Sequence, residues 1–408
     1  MVPEGWKCVP LGEIADVRTG VAKNKKELAD PVELPYLRVA NVQDGRLDLN
    51  EIKTIEIERR QVERYSLAEG DVLMTEGGDF DKLGRGDVWR GQISQCLHQN
   101  RIFAVRVDSD VLSPYFLSSL SGSSYGKDYF LSCAKRSTNL ASINSSQLKK
   151  FPVILPSLPE QKRIAEIVAV WDKAISIAEK LVCNGSAQRN ILISRLLEND
   201  SYGNIESLNY QKVALGDLAK INAFTEIPKT ERSLLFVSMK DVSERGELLG
   251  FERRDSKTGA GCTRFINKDV LVAKITPCFE NGKGACVSGL DDEVGFGSTE
   301  FIVLRALGGV DSRLIYHSTI GRKFRIQGER SMQGSAGQKR ISPDFIRKYQ
   351  LFFPSSICGQ SKISNILDCA VDIERHSRKI LKNIKEQRST LIHNIIAGKL
   401  RVKLDKVA

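Results

Sequence analysis

Phe151–Pro156 reads FPVILP, and Tyr349–Pro354, 198 positions later, reads YQLFFP. Each is a short apolar run closed by proline, and a stretch of helical periodicity follows each one. The match spreads in both directions. Leu11-Gly12-Glu13-Ile14-Ala15 returns as Leu215-Gly216-Asp217-Leu218-Ala219, and Asp71-Val72-Leu73 returns as Asp269-Val270-Leu271. Gly84-Arg85-Gly86 returns as Gly282-Lys283-Gly284, and Arg189 with Leu192-Ile193 returns as Arg388 with Leu391-Ile392. The offset stays between 198 and 204, so the chain is a tandem of two long copies. A repeat of this length is too long for a solenoid unit and long enough for a domain with its own core. Duplicated recognition domains suit a target that itself has two parts.

The 408 residues carry a formal net charge of +11, with 41% hydrophobic residues. That composition supports globular cores, and the basic balance favours a polyanionic partner. No apolar run reaches the length of a membrane span, and Met1–Pro10 has no apolar leader core. Nine cysteines without a C-x-x-C pair fit reduced thiols, so a cytoplasmic location is expected. Four histidines are few for a metal enzyme, and Cys96 with His98 lacks a second ligand pair.

Within each copy the first part is short-segmented. Tyr36–Val42, Asp71–Thr75 and Ile102–Val107 read as strands, with counterparts Leu235–Val242, Asp269–Ala273 and Phe301–Arg305. Helical patches follow near Pro114–Leu120 and Arg313–Ile320. The second part steps by three and four: Ile164, Ile167, Trp171, Ala174, Ala178, Leu181, and then Ile363, Ile366, Ala370, Ile373, Ser377, Ile380, Ile384. That is the seam of a coiled coil, and it predicts helices of roughly 35–40 residues, about 55 Å long. Cys183-Asn184-Gly185-Ser186 is expected to kink the first. Such a stripe needs a partner; the other copy supplies one, and the pair would run antiparallel if the domains lie at opposite ends, the alternative being a helix folded back on its own domain.

Leu155-Pro156-Ser157-Leu158-Pro159-Glu160-Gln161-Lys162-Arg163-Ile164 resembles the proline leader and PEQ start of the central helix in specificity (S) subunits of Type I restriction–modification systems. Thr276-Pro277-Cys278-Phe279-Glu280-Asn281-Gly282-Lys283-Gly284 is similar to a segment of their target-recognition domains, and Ile396-Ala397-Gly398-Lys399-Leu400-Arg401 to the end of their second helix. The resemblance covers nearly the whole chain. One departure is Cys358-Gly359-Gln360, where the first copy has Pro159-Glu160-Gln161; it leaves the start of the second helix open.

The resemblance implies an α+β fold: two mixed, β-rich target-recognition domains separated by two long antiparallel coiled-coil helices, as a pseudo-twofold internal repeat. The expected spans are 1–157 and 201–356 for the domains, 158–200 for the central helix and 357–408 for the C-terminal one. It also implies a subunit without catalysis of its own. Each domain would read one half of a bipartite, asymmetric site in double-stranded DNA. The helices would set the spacer and dock two methyltransferase (M) subunits, joined by restriction/translocase (R) subunits. No cofactor is expected on this chain; S-adenosylmethionine, ATP and Mg belong to the partners.

The residues support this from below. Half-sites one helical turn apart lie about 34 Å apart, a span that paired helices of this length can hold. Each reader needs cations for phosphates and polar side chains for base edges. Glu76–Trp89 offers Lys82 and Arg85, and its counterpart Lys274–Ala285 offers Lys274, Asn281 and Lys283. A second pair of loops offers Lys135, Arg136 and Asn139 in the first copy, and Gln338, Lys339 and Arg340 in the second. The interface residues expected on the helices are Ile164, Ile167, Trp171, Leu181, Ile363, Ile366, Ile373, Ile380 and Ile384. The loops differ strongly between copies, which predicts two different half-sites.

Thr276-Pro277-Cys278-Phe279 lacks the amide or acidic head and second proline of an amino-methyltransferase motif. No Walker-type phosphate loop occurs, and Pro343-Asp344 is not followed by the Asp/Glu-x-Lys of a nuclease core. The competing readings are a self-contained DNA methyltransferase or nuclease, which would modify DNA unaided, and a coiled-coil scaffold, which would bind no DNA.

Overall fold

The computed structural model describes all residues except 1, 23–27, 137–140, 199–208, 227–232, 256, 258–260, 291–293, 336 and 405–408. The chain forms two compact units, Met1–Glu179 with Lys379–Ala408, and Lys180–Arg378.

In the first unit Lys7–Pro10 pairs antiparallel with Pro152–Leu155. The FPVILP run is thus the strand that closes the domain on its own beginning before the long helix departs. YQLFFP does the same in the second unit, where Gln350–Pro354 pairs with Tyr210–Ala214. The core sheet is also repeated. Its antiparallel order is Ala15–Thr19, Ile102–Val107, Val72–Thr75, Gly86–Val88 in the first unit, and Ala219–Ile221, Phe301–Ala306, Val270–Ala273, Gly284–Cys286 in the second. Two of the central strands, VLMT at Val72–Thr75 and VLVA at Val270–Ala273, are buried at every residue. Helices Pro114–Ser121 and Ser124–Cys133 follow in one unit, Ser312–Ile320 and Arg322–Arg330 in the other.

The repeated Asp at the foot of the sheet has a structural cause. Asp71 accepts Nε and Nη2 of Arg106, both at 2.8 Å, and the Ala68 amide. Asp269 accepts Nε and Nη2 of Arg305 at 2.9 and 2.6 Å and the Ile266 amide. Two of the expected strands end early. They stop at Leu37 and Val237, and short 3-10 turns follow at Val39–Asn41 and Met239–Asp241. Asn41 and Asp241 turn the chain by accepting the amides of Arg38 and Ser238 with their own side chains.

The long helices span Leu158–Ile193, continued by a π-helical turn Ser194–Glu198, and Ile357–Ile396. The first helix is unbroken through Cys183–Ser186, where a kink was expected. The PEQ motif now has a meaning. Gln161 is fully buried; its Oε1 accepts the Ser113 amide, and its Nε2 donates to the carbonyls of Val111 and Pro156. Gln360 repeats the contact on Asp311 at 2.8 Å. Glu160 accepts from the Ser157 amide and hydroxyl and pairs with Arg401. Gly359 cannot do this, so the second helix is capped by Ser356, whose hydroxyl accepts the Gly359 amide.

In each unit a segment of one long helix packs antiparallel on a segment of the other. The first unit joins Asp172 to Arg388 and Glu179 to Lys385; the second joins Arg189 to Glu374, with Arg378 bonded to Ser186. The first core contains Ile164 and Val168 beside Ile392, Ile395 and Ile396, and the second contains Ile193 and Leu197 beside Ile363 and Leu367. This corrects the expected seam. Ile164 and Ile363 are buried as predicted, Ile167, Trp171 and Ile384 are half-buried, but Leu181, Ile366, Ile373 and Ile380 are exposed. The buried face of the second helix runs through Ile363, Leu367, Ala370, Val371 and Glu374 instead. Three residues along a helix turn it by about 300°, so the Ile366–Ile373–Ile380 row lies about 60° from the buried one.

Candidate nucleic-acid interface

The two loops singled out in each copy come together. In the first unit Gly77–Gly78 pairs with Ala141–Ser142, which pairs in turn with Lys135–Arg136. Gly77 is needed there: a Cβ would stand 2.8 Å from the Ala141 carbonyl oxygen. In the second unit the Thr276 amide donates to the Lys339 carbonyl and the Ile341 amide to the Lys274 carbonyl. Arg340 lies in ladder contact with both Ile275 and Gln333. A composite surface of two loops therefore stands at one end of the core sheet in each unit.

The expected contact residues divide into tethered and outward-facing ones. Lys82 is paired with Asp79, whose carboxyl it holds below the usual range. Arg85 is half-buried, and its Nε has no hydrogen-bond partner among the described residues. Asn281 donates from Nδ2 to Glu244 Oε1 at 2.8 Å, and Lys283 donates from Nζ to the Met239 carbonyl at 2.9 Å. Arg340 donates Nε and Nη2 to the Glu300 carboxylate at 3.0 and 2.9 Å, and this keeps that carboxyl below its ordinary range. Lys82, Asn281, Lys283 and Arg340 are thus held by bonds within the unit. Lys274 is half-buried on the strand exit.

Lys135, Gln338 and Lys339 are exposed and make no side-chain hydrogen bond or ion pair among the described residues. Arg136 lies on the small sheet, and Asn139 falls outside the described residues. Glu244 and Glu300 were missed in the sequence because they come from 37 and 40 residues away, whereas Asp79 stands three residues before Lys82 in the same loop. Among the described residues no cluster of potential metal ligands occurs, and no helix is long and apolar enough to cross a membrane.

Fold and site together define a class: a protein with a duplicated sheet domain, each copy offering paired polar loops, linked through two long helices. The family profile described as "Type I restriction modification DNA specificity domain" matches residues 3–182. The type I restriction enzyme MjaX specificity subunit of Methanocaldococcus jannaschii is 23% identical over 98% of this chain and 95% of its own length. The Escherichia coli EcoEI and EcoAI specificity subunits are 31% and 34% identical, over 49% and 36% of this chain but only 34% and 25% of theirs. Two solved structures share the fold: the Type-I restriction-modification system S subunit from M. genitalium, with TM-score 0.55, 13% identity and coverage of 99% and 100%, and a chain from a study of complex assembly and conformational transition of the type I R-M system, with TM-score 0.57, 15% identity and coverage of 98% and 100%. Residues 3–182 thus match a type I restriction–modification DNA specificity domain, and the chain as a whole is similar to a type I specificity subunit over nearly its full length.

Proposed function

We propose that this chain is the non-catalytic DNA reader of a type I restriction–modification complex, each unit recognising one half of a bipartite, asymmetric site. The observation that carries this reading is the pair of loop platforms. They stand on the same sheet in both units but present different side chains, as two readers of unlike half-sites require. Lys135, Gln338 and Lys339 have polar ends available for phosphate or base edges. The helices act as the spacer, and their exposed apolar residues dock two methyltransferase subunits. Val170, Ile177 and Ile380 are exposed on the first unit, and Leu181, Ile366 and Ile373 on the second. Apolar rows of that kind on otherwise charged helices favour burial against a partner. S-adenosylmethionine binds the methyltransferase subunits; ATP and Mg act on the restriction subunits.

The test is co-expression with the partner methyltransferase in a methylation-free host, followed by methylome sequencing. A bipartite motif is expected, and exchanging residues 2–155 for those of another specificity subunit changes one half of it only. Methylation without a bipartite motif, or a motif indifferent to the exchange, overturns the reading. DNA modification by the purified chain alone would replace it with that of an enzyme.

A further inference from the structure

We infer that Arg325 is a positioning residue for sequence reading, holding the Thr276–Lys283 loop in the shape that recognises the second half-site. This rests on the DNA-reading function above and goes beyond it in naming what fixes the loop. The segment is wound on itself: Phe279 N donates to Ile275 O at 2.9 Å, Asn281 N to Pro277 O at 3.0 Å, Gly282 N to Phe279 O at 2.9 Å and Lys283 N to Cys278 O at 2.9 Å. Phe279 O already accepts the Gly282 amide within the turn and keeps a second lone pair free, while Gly282 O accepts no backbone amide of the turn.

Arg325 reaches them from the Arg322–Arg330 helix. Its Nη1 donates to Phe279 O at 2.8 Å, its Nη2 to Gly282 O at 3.3 Å, and its guanidinium carbon stands 4.7 Å from the Phe279 ring centroid. The side chain is buried, and no carboxylate forms an ion pair with it among the described residues. Desolvation pushes the guanidinium down to about 9. A buried cation whose hydrogen bonds go to loop carbonyls makes the loop's place depend on that cation. The same helix presses on the loop at Gly328, where a Cβ would stand 2.2 Å from Phe279 Cζ. Asn281 is exposed at the rim of the held turn, beside Gly282 at φ +82°.

The first unit is wired otherwise. Lys127 occupies the corresponding helix position, 198 residues earlier, and pairs with Asp44 at 2.8 Å instead of holding the Glu76–Trp89 loop. Loss of the clamp therefore acts on one half-site alone.

The experiment uses the full chain co-expressed with its methyltransferase, with methylome sequencing as the readout and thermal unfolding as the control. R325M is expected to keep the first half of the motif strict and to relax discrimination in the second by about tenfold at one or more base pairs. R325K keeps one carbonyl bond and falls between R325M and the parent. G328A moves the same loop through Phe279 and relaxes the same half; it and R325K decide the matter should R325M fail to fold. Folded variants with an unchanged second half, or with both halves loosened equally, overturn the assignment. A parent complex with no bipartite motif defeats the DNA-reading function itself, which is a separate result.

Discussion

Each unit seats one of its paired loops on a helix with one phenyl ring, but the ring comes from opposite sides. In the first unit the helix supplies Phe130 and the loop supplies Gly84, where a Cβ would come within 2.3 Å of the ring. In the second the loop supplies Phe279 and the helix supplies Gly328, at the position corresponding to Phe130. Both rings are fully buried. What the duplication has kept is a filled volume, while the residue that fills it has changed places. A loop is matched to the helix beneath it, and exchanging either alone leaves two rings in one seat or none.

The largest effects come from breaking this complementarity. F279A empties the seat and should cost about 3–5 kcal/mol, as core Phe truncations do. G328F should destabilise by overpacking. The double variant F279A/G328F rebuilds the first unit's arrangement in the second, and a double-mutant cycle by denaturant unfolding should show favourable coupling of about 1–3 kcal/mol.

A matched pair of variants sharpens the comparison where the units agree. D71N and D269N each break a buried, bidentate Arg–Asp contact and should cost about 3 kcal/mol apiece, equally in both units. Unequal losses would mean that the shared foot of the sheet is not doing the same job twice.

The helix starts should differ more mildly. Gln161 makes three side-chain hydrogen bonds to backbone, so Q161A should cost about 2 kcal/mol. Q360A loses the bond to Asp311 and should cost about 1 kcal/mol. Thermal unfolding of the two variants measures the gap.

The smallest effect is one of pH. Arg340 holds Glu300 below its ordinary range, so the pair's contribution is complete above about pH 4.3, the unperturbed glutamate value. It is lost as pH falls through the lower folded value, and NMR titration of Arg340 Nε should follow that loss. E300Q should abolish the titration.

Much of this architecture was legible in the sequence. The Asp-Val-Leu runs and the FPVILP run returned at fixed offsets because paired strands and buried ion pairs tolerate little change. Gln161 and Gln360 could be aligned by eye, although their burial could not. Which row of the second helix faces inward was not legible. Ile363, Ile366, Leu367, Ala370 and Ile373 satisfy a three-and-four spacing on both neighbouring faces, and only the packed domain chooses between them. The ties on Arg340 depended on Glu300, forty residues away, and no local pattern announces such a partner.

The first unit is completed by Ile392, Ile395 and Ile396, which follow the whole of the second unit in sequence. On the ribosome its core therefore stays open until the second unit has been made, although its sheet is made before it. Loss of the residues after Arg378 would injure the earlier of the two units and spare the later one.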